Sequence, residues 1–253
     1  MSKDFVIITG ANRGIGLALA KEIITPTTSL ISVQRSEDAK ELEAFTSERG
    51  VEFQIVRVDL SDIDSLEDVI VNGVLSKINK DDANSVTLIQ NAGIAFTAKC
   101  GEQDFKLVNQ LLQINTVAPT LITELFVRHI QSWPIEKKIM YISSGAGRKV
   151  YEGWSSYGSS KAANEHFVKI LHAEQAKRTY PIFACAYGPG VVQTRMQDQI
   201  NESDSDVPIV ARLKEMKKAG TSFTPEKAAQ IAIKFLRSPE FATKVTEDAY
   251  NLV

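Results

Sequence analysis

Short runs of β-branched and aromatic residues alternate with longer amphipathic stretches along almost the whole chain, and this alternation limits the possible folds more than any other feature. The apolar runs lie at 5–9 (FVIIT), 30–34 (LISVQ), 53–59 (FQIVRVD), 85–90 (SVTLIQ), 137–143 (KKIMYIS) and 182–187 (IFACAY). Helical periodicity occupies 16–24, 38–48, 64–78, 105–130, 158–178 and 226–237. Strands separated by helices pair in parallel through right-handed crossovers, which places helices on both faces of the sheet. Such strands are buried on both sides and lose the in–out alternation of half-exposed strands, as these runs do. The expected fold class is α/β, a doubly wound parallel sheet forming one domain over residues 1–253. At 253 residues and 43 % apolar composition, the chain is long enough to bury that core.

Charge excludes several classes of partner. The net charge is -2, with acidic and basic residues interspersed, so no basic face is set up for nucleic acid or an anionic membrane. Small-molecule chemistry is expected instead. MSKD leads straight into FVIITG without a signal-like apolar region, and no apolar run approaches the roughly 20 residues that span a bilayer, so a soluble cytoplasmic protein is expected. Cys100 and Cys185 lack CxxC spacing and His129, His166 and His172 lack partners at ligand spacing, so no metal site is expected. The polar stretch 197–207 breaks the alternation before Thr224-Pro225-Glu226 restarts a helix, and 194–223 reads as a substrate flap or, alternatively, as an ordinary surface loop plus one helix.

The first strand runs into TGANRGIG (9–16), placing Gly10, Gly14 and Gly16 in a strand-to-helix turn together with Asn12, Arg13 and Ile15. Glycines permit the tight bend and close backbone approach, and the following helix N-terminus offers free N–H groups and a positive dipole end to a pyrophosphate. The spacing is GxxxGxG rather than GxGxxG. At the tip of the second strand, where an NAD-binding protein places an acid for the ribose, this chain has Gln34-Arg35-Ser36. An arginine fork suits a 2′-phosphate, with Arg13 on its other side, and points to NADP(H). Glu37 and Asp38 remain the acidic alternatives.

TGANRGIG, Asp59-Leu60 after the third strand, Asn91-Ala92-Gly93 after the fourth, Asn115 in LQINTVAP, Ser144, Tyr157-Gly-Ser-Ser-Lys161 and Pro189-Gly190 together resemble the short-chain dehydrogenase/reductase family over nearly the whole chain. The resemblance implies a Rossmann fold, a nicotinamide cofactor and an Asn115–Ser144–Tyr157–Lys161 tetrad. The family's serine lies thirteen positions before its tyrosine, which selects Ser144 over Ser143. It further implies Asp59 beside the adenine, Asn91, Ala92 and Gly93 beside the ribose, and Val192 and Thr194 at the nicotinamide carboxamide. Pairing of subunits through 105–130 and 158–178, giving a homodimer or homotetramer, comes from the same resemblance.

The chemistry has its own logic. Hydride reduction of a ketone leaves charge on oxygen, so an acid must deliver a proton while donors hold the oxygen. A tyrosine with a reference pKa near 10 needs about 4 kcal/mol of preference for phenolate to reach 7. An ammonium about 5 Å away supplies roughly 3 kcal/mol at an effective dielectric of 20, so Lys161 is expected to pull the Tyr157 phenol most of the way. The i, i+4 spacing puts both on one helix face. Ser144 is then a donor to the substrate carbonyl, and the family's Asn115 holds a water linking the lysine to a proton relay.

YEGWSSYGSSKAA, AYGPGVVQTRMQ and PEFATKVTEDAYNLV resemble the branch containing sepiapterin reductases and benzil-type diketone reductases. That resemblance implies an NADPH-dependent carbonyl reductase of aromatic 1,2-dicarbonyls or pterin side-chain ketones, with Asp248 in a pterin-anchoring place. Tyr151, Trp154 and Met196 are candidate walls of an aromatic pocket. A 3-ketoacyl or steroid ketone reductase and a non-catalytic NADP-sensing regulator are the competing expectations.

Overall fold

Seven parallel strands form one sheet in the order β3-β2-β1-β4-β5-β6-β7. In this computed structural model, which describes residues 2–201 and 207–253, they are β1 (Lys3–Thr9), β2 (Thr28–Gln34), β3 (Glu52–Arg57), β4 (Ala83–Gln90), β5 (Glu136–Ile142), β6 (Phe183–Gly188) and β7 (Thr246–Asp248). The helices are α1 (Gly14–Ile23), α2 (Lys40–Glu48), α3 (Ile63–Asp68), α4 (Phe105–Leu112), α5 (Ala118–Ile130), α6 (Ser155–Gln175), α7 (Arg195–Asn201), α8 (Pro208–Lys218) and α9 (Pro225–Arg237). Alternate residues of each central strand feed two cores. Phe5, Ile7, Val86, Leu88, Ile139 and Tyr141 pack with α3, α5 and α6, whereas Val6, Ile8, Ile89, Met140 and Ile142 pack with α1 and α9. Two buried faces explain why the strands read as unbroken apolar runs. The single domain with a parallel sheet between two helical layers, expected from the alternation, is the one found, in the Rossmann-like form that the family resemblance implies.

Three departures from the sequence reading have physical causes. The 105–130 pattern is interrupted by a π turn over Gln113–Val117 that contains Asn115. Pro119 has no N–H to give the Asn115 carbonyl four residues earlier, and that oxygen accepts from Asn164 Nδ2 at 2.7 Å instead. The 64–78 pattern likewise passes from α3 through a π turn (Val69–Val74) into a short 3-10 turn (Leu75–Lys77). Strand β7, absent from the expected set, is three residues long and pairs Thr246, Glu247 and Asp248 with Ala186, Tyr187 and Gly188.

The expected flap contains α7 and α8, and its stretch 202–206 lies outside the described residues. Its base is pinned: Phe223 N donates to Val191 O at 2.8 Å and Gln193 N donates to Phe223 O at 2.9 Å. Strand order reverses between β1 and β4, so connections leave their C-terminal ends in opposite directions and open a crevice there. Among the described residues, no helix is long and apolar enough to cross a membrane.

Candidate active site

The crevice is a cleft of about 1530 Å³, larger than the roughly 300–1,000 Å³ of ordinary small-ligand pockets and therefore roomy enough for a dinucleotide and a second molecule. At its floor, β1 and β4 are tied together. Thr9 Oγ1 accepts from Asn91 N at 2.9 Å and Ala92 N at 3.0 Å, while Asn91 Nδ2 donates to Thr9 O at 2.9 Å and Gly10 O at 3.1 Å. Gly10 and Gly14 have φ of 72° and 55°, a region that favours glycine. A Cβ on Gly16 would come within 2.1 Å of Gly10 O and 2.5 Å of Asn91 Nδ2, so this position closes the turn only as glycine. No side chain caps α1 and no acidic residue sits in its first turn. An uncapped, uncontested helix N-terminus facing a cleft fits a pyrophosphate.

On the second-strand side, Arg35 Nη1 stands 3.9 Å from Asp59 Oδ2 with 71 % of its side chain exposed. Glu37, one of the two acidic alternatives, pairs with Arg57. Ser61 donates to Asp59 Oδ1 through its N at 2.9 Å and its Oγ at 2.7 Å. Those bonds hold the Asp59 carboxyl below the usual carboxylate range, with Arg35 adding to the effect.

The end of β5 faces the first turns of α6. Lys161 Nζ donates to Ile142 O at 2.9 Å and lies 5.8 Å from the centroid of the Tyr157 ring. Two glycines allow this approach. A Cβ on Gly147 would stand 3.0 Å from Ala162 N, and one on Gly158 would stand 2.9 Å from Ala146 O. Both Tyr157 and Lys161 are buried, at 9 % and 6 % exposure. Burial pushes the Tyr157 phenol up, against a hydrogen bond from Ser144 that pulls it down. Burial also pushes the Lys161 ammonium down to about 8, against the pull of Glu165. In both groups the largest cause is withdrawal from water, which disfavours the charged form.

Asn115 is the one tetrad position that does not line the cleft. It stands behind the wall, with Oδ1 accepting from Ile94 N and Nδ2 donating to Ile94 O, both at 2.8 Å. A Cβ on Gly93 would lie 3.2 Å from Asn115 Oδ1 and 3.7 Å from Lys161 Nζ, so the bare Gly93 backbone passes between them. Every other expected position borders the cleft, from Gly10, Asn12, Arg13, Gly14, Ile15 and Gly16 through Leu60, Ala92 and Ser144 to Pro189, Gly190, Val192 and Thr194.

The far wall is apolar. Tyr151, Trp154 and Tyr157 form a chain of edge contacts, with ring centroids 5.6 and 5.2 Å apart, and Trp154 Nε1 donates to Thr97 Oγ1 at 3.2 Å. Met196 and Ile200 from α7 and Ile209 and Leu213 from α8 join Tyr151 and Trp154 in one cluster. Asp248 reaches the rim from β7, where its Oδ2 accepts from Arg148 Nη2 at 2.9 Å and its Oδ1 from Tyr250 N at 3.1 Å. Among the described residues, no group of three or more His, Cys, Asp or Glu is close enough to hold a metal.

The profile of the short chain dehydrogenase family matches residues 4–205. The chain belongs to the short-chain dehydrogenase/reductase family. Short-chain dehydrogenases are oxidoreductases that use nicotinamide cofactors, and the glycine turn and uncapped α1 fit that group. Among curated relatives, the chain is 33 % identical to a benzil reductase ((S)-benzoin forming) of Bacillus cereus over 241 residues, 94 % of this chain and 95 % of that one. It is 26 % identical to the sepiapterin reductase of Bos taurus over 264 residues, 99 % of this chain and 96 % of the relative. The crystal structure of KRED1-Pglu enzyme superposes with a TM-score of 0.80 at 25 % identity, covering 96 % of this chain and 100 % of that one.

Several residues around this short-chain dehydrogenase cleft escaped the sequence reading. Asn164, Arg148, Glu165 and Ser143 meet partners far away in the chain, and no local spacing announces them. Asn164 had one usable signal, the proline at 119 that leaves the Asn115 carbonyl without its helical donor.

Proposed function

We propose that the protein is an NADPH-dependent carbonyl reductase of aromatic 1,2-dicarbonyls of the benzil type. The observation that carries this reading is the buried Tyr157–Lys161 pair beside Ser144, facing a wall of Tyr151, Trp154 and Met196 within the cleft that begins at the glycine turn. The turn and the α1 N-terminus would hold the pyrophosphate, Arg13 and Arg35 the 2′-phosphate, and Asp59 and Leu60 the adenine side. Asn91, Ala92 and Gly93 would border the ribose, and Pro189, Gly190, Val192 and Thr194 the carboxamide. NADP(H) is supported by Arg35 at the ribose end and by the ion pair that occupies Glu37.

When bound, the reduced dinucleotide supplies the hydride. Ser144 Oγ donates to the substrate carbonyl oxygen and fixes which face is presented. As charge builds on that oxygen, Tyr157 Oη transfers its proton to it, giving the alcohol and leaving a phenolate. The Lys161 ammonium stabilises that phenolate at close range in a low-dielectric wall. Asn115 keeps the Gly93–Ile94 backbone in place, so Lys161 has a fixed wall opposite it. The α7–α8 segment covers the apolar side as the substrate flap.

The pterin reading is second. Asp248 borders the cleft, but its carboxylate is already paired with Arg148 and with Tyr250 N, whereas a neutral diketone needs only the aromatic wall and Ser144. Exposed Phe105, Leu112, Val117 and Leu121 on the 105–130 segment, with Ile170 on α6, support association of this cytoplasmic enzyme as a homodimer or homotetramer. The test is NADPH consumption with benzil, sepiapterin and an acetoacetyl thioester. Turnover of benzil above the others is expected. Activity on the thioester alone would replace the substrate assignment, and NADPH binding without turnover of any carbonyl would favour the sensing regulator.

A further inference from the structure

Behind the tyrosine and lysine, α6 carries a third polar residue at the same helical spacing. Residues 157, 161 and 165 form one stripe, and it faces consecutive residues at the end of β5. Ser144 meets Tyr157, Ile142 O meets Lys161, and Ser143 Oγ donates to Glu165 Oε1 at 2.7 Å. Glu165 is 3 % exposed, a burial that a carboxylate rarely reaches without an electrostatic reason. It does not line the cleft, so it touches neither cofactor nor substrate.

Its surroundings form a chain of alternating charge. Lys161 lies one turn before it on α6. Arg148, from the loop after β5, places Nε 3.6 Å from Glu165 Oε1 and Nη2 2.9 Å from Asp248 Oδ2. From the β6 and β7 side, the Cys185 thiol feels Glu165, Arg148, Glu247 and Lys244, and the last two pair with each other at 3.2 Å. The Tyr157 ring centroid lies 5.8 Å from Lys161 Nζ, and Asn115 Oδ1 stands across the Gly93 backbone from it. The cluster Lys161, Glu165, Arg148 and Asp248 is neutral as a set, and Glu165 is the member that faces both cations.

We propose that Glu165 is a positioning residue that keeps the Lys161 ammonium charged beneath Tyr157 by balancing its burial, with Arg148 and Ser143 holding the carboxylate in place. A lysine withdrawn from water tends to release its proton unless an anion stands nearby. Among the described residues, the Lys161 ammonium donates to one acceptor, the Ile142 carbonyl, and Glu165 is a full negative charge one turn along the same helix face. Without it, Lys161 becomes neutral at a lower pH and its effect on the phenol disappears in the alkaline part of the working range.

This inference rests on the proposed roles of Tyr157 and Lys161, and its test separates the two. Lysine labelled with ¹³C at Cε is titrated by NMR in the protein without added cofactor, the Lys161 signal being the one missing in Lys161→Arg. Glu165→Gln keeps the shape and the Ser143 contact while removing the charge. The Lys161 midpoint is expected to fall by about one pH unit or more in that variant, and to stay within a few tenths of a unit in Glu165→Asp, which retains the charge. A midpoint unmoved by Glu165→Gln overturns the proposal, whatever the enzyme does with carbonyls. If Glu165→Gln does not fold, Glu165→Asp alone decides: a midpoint more than one unit below wild type with the charge retained would overturn it. Carbonyl reduction supplies the parallel readout. The alkaline limb of kcat/KM is expected to move to lower pH by the same amount in Glu165→Gln, with KM for NADPH unchanged. Retained turnover in Tyr157→Phe would sink the acid assignment but leave the lysine titration standing.

Discussion

Arg35→Asp tests the cofactor assignment through a charge whose setting is known. The Arg35 side chain is 71 % exposed and its nearest acid, Asp59, stands at 3.9 Å, a separation in open solvent that contributes ~0–1 kcal/mol and leaves the guanidinium available. Losing one charge-assisted contact to a 2′-phosphate costs about 1.5–3 kcal/mol, or about 12–150-fold in affinity. The new carboxylate also faces that phosphate. At about 4 Å the bare repulsion is about 4 kcal/mol at an effective dielectric of 20, and at this exposed site salt reduces it to about 1 kcal/mol. The sum predicts NADPH binding roughly 60–1,000-fold weaker, while NADH, which has a hydroxyl there, changes by less than about fivefold. Titration of protein with each reduced dinucleotide, followed by the fluorescence of the nicotinamide, measures both constants. A ratio of the two affinities that moves by less than threefold would remove Arg35 from the 2′-phosphate site.

Two other perturbations address the tetrad. Lys161 has its folded pKa lowered to about 8 from an unfolded value near 10.4, so the unfolded chain holds more protons between those limits and stability rises with pH across that window. Urea titrations are expected to show that rise between about pH 8 and 10 in the wild type and to lose it in Lys161→Met, which also abolishes turnover; a pH dependence unchanged in the variant would contradict the burial argument. Asn115→Ala removes both side-chain bonds to Ile94 and is expected to cost about 2–4 kcal/mol of stability and to lower kcat more than it raises KM for NADPH, since Asn115 stands behind the wall.

Much of this was legible in the sequence because local physics dominates it. Runs such as FVIIT and SVTLIQ announce strands buried on both faces, and TGANRGIG announces its turn because the backbone angles at Gly10 and Gly14 favour glycine and Gly16 has no room for a Cβ. The Tyr157–Lys161 spacing survives because α6 is regular through it. What stayed hidden depends on tertiary partners or breaks the periodicity only slightly. The π turn at 113–117 leaves the apolar pattern of 105–130 intact, so the amphipathic reading ran straight across it. Strand β7 has three residues and is defined by pairing with β6 rather than by composition. Glu165 and Arg148 read as ordinary helix-surface and loop charges until the fold brings β5, α6 and β7 together. Spacing likewise shows Lys161 one turn from Tyr157 but not how deeply the fold buries both side chains.

The central claim is that the Tyr157 hydroxyl delivers the proton to a reduced carbonyl, and Tyr157→Phe tests it most directly because it removes one oxygen atom from a buried ring. Parallel measurement of benzil-dependent NADPH oxidation and NADPH affinity in that variant is expected to give turnover reduced at least 10²-fold, within the usual range for a lost general acid, with the dissociation constant changed less than threefold. Turnover within tenfold of wild type would contradict the account.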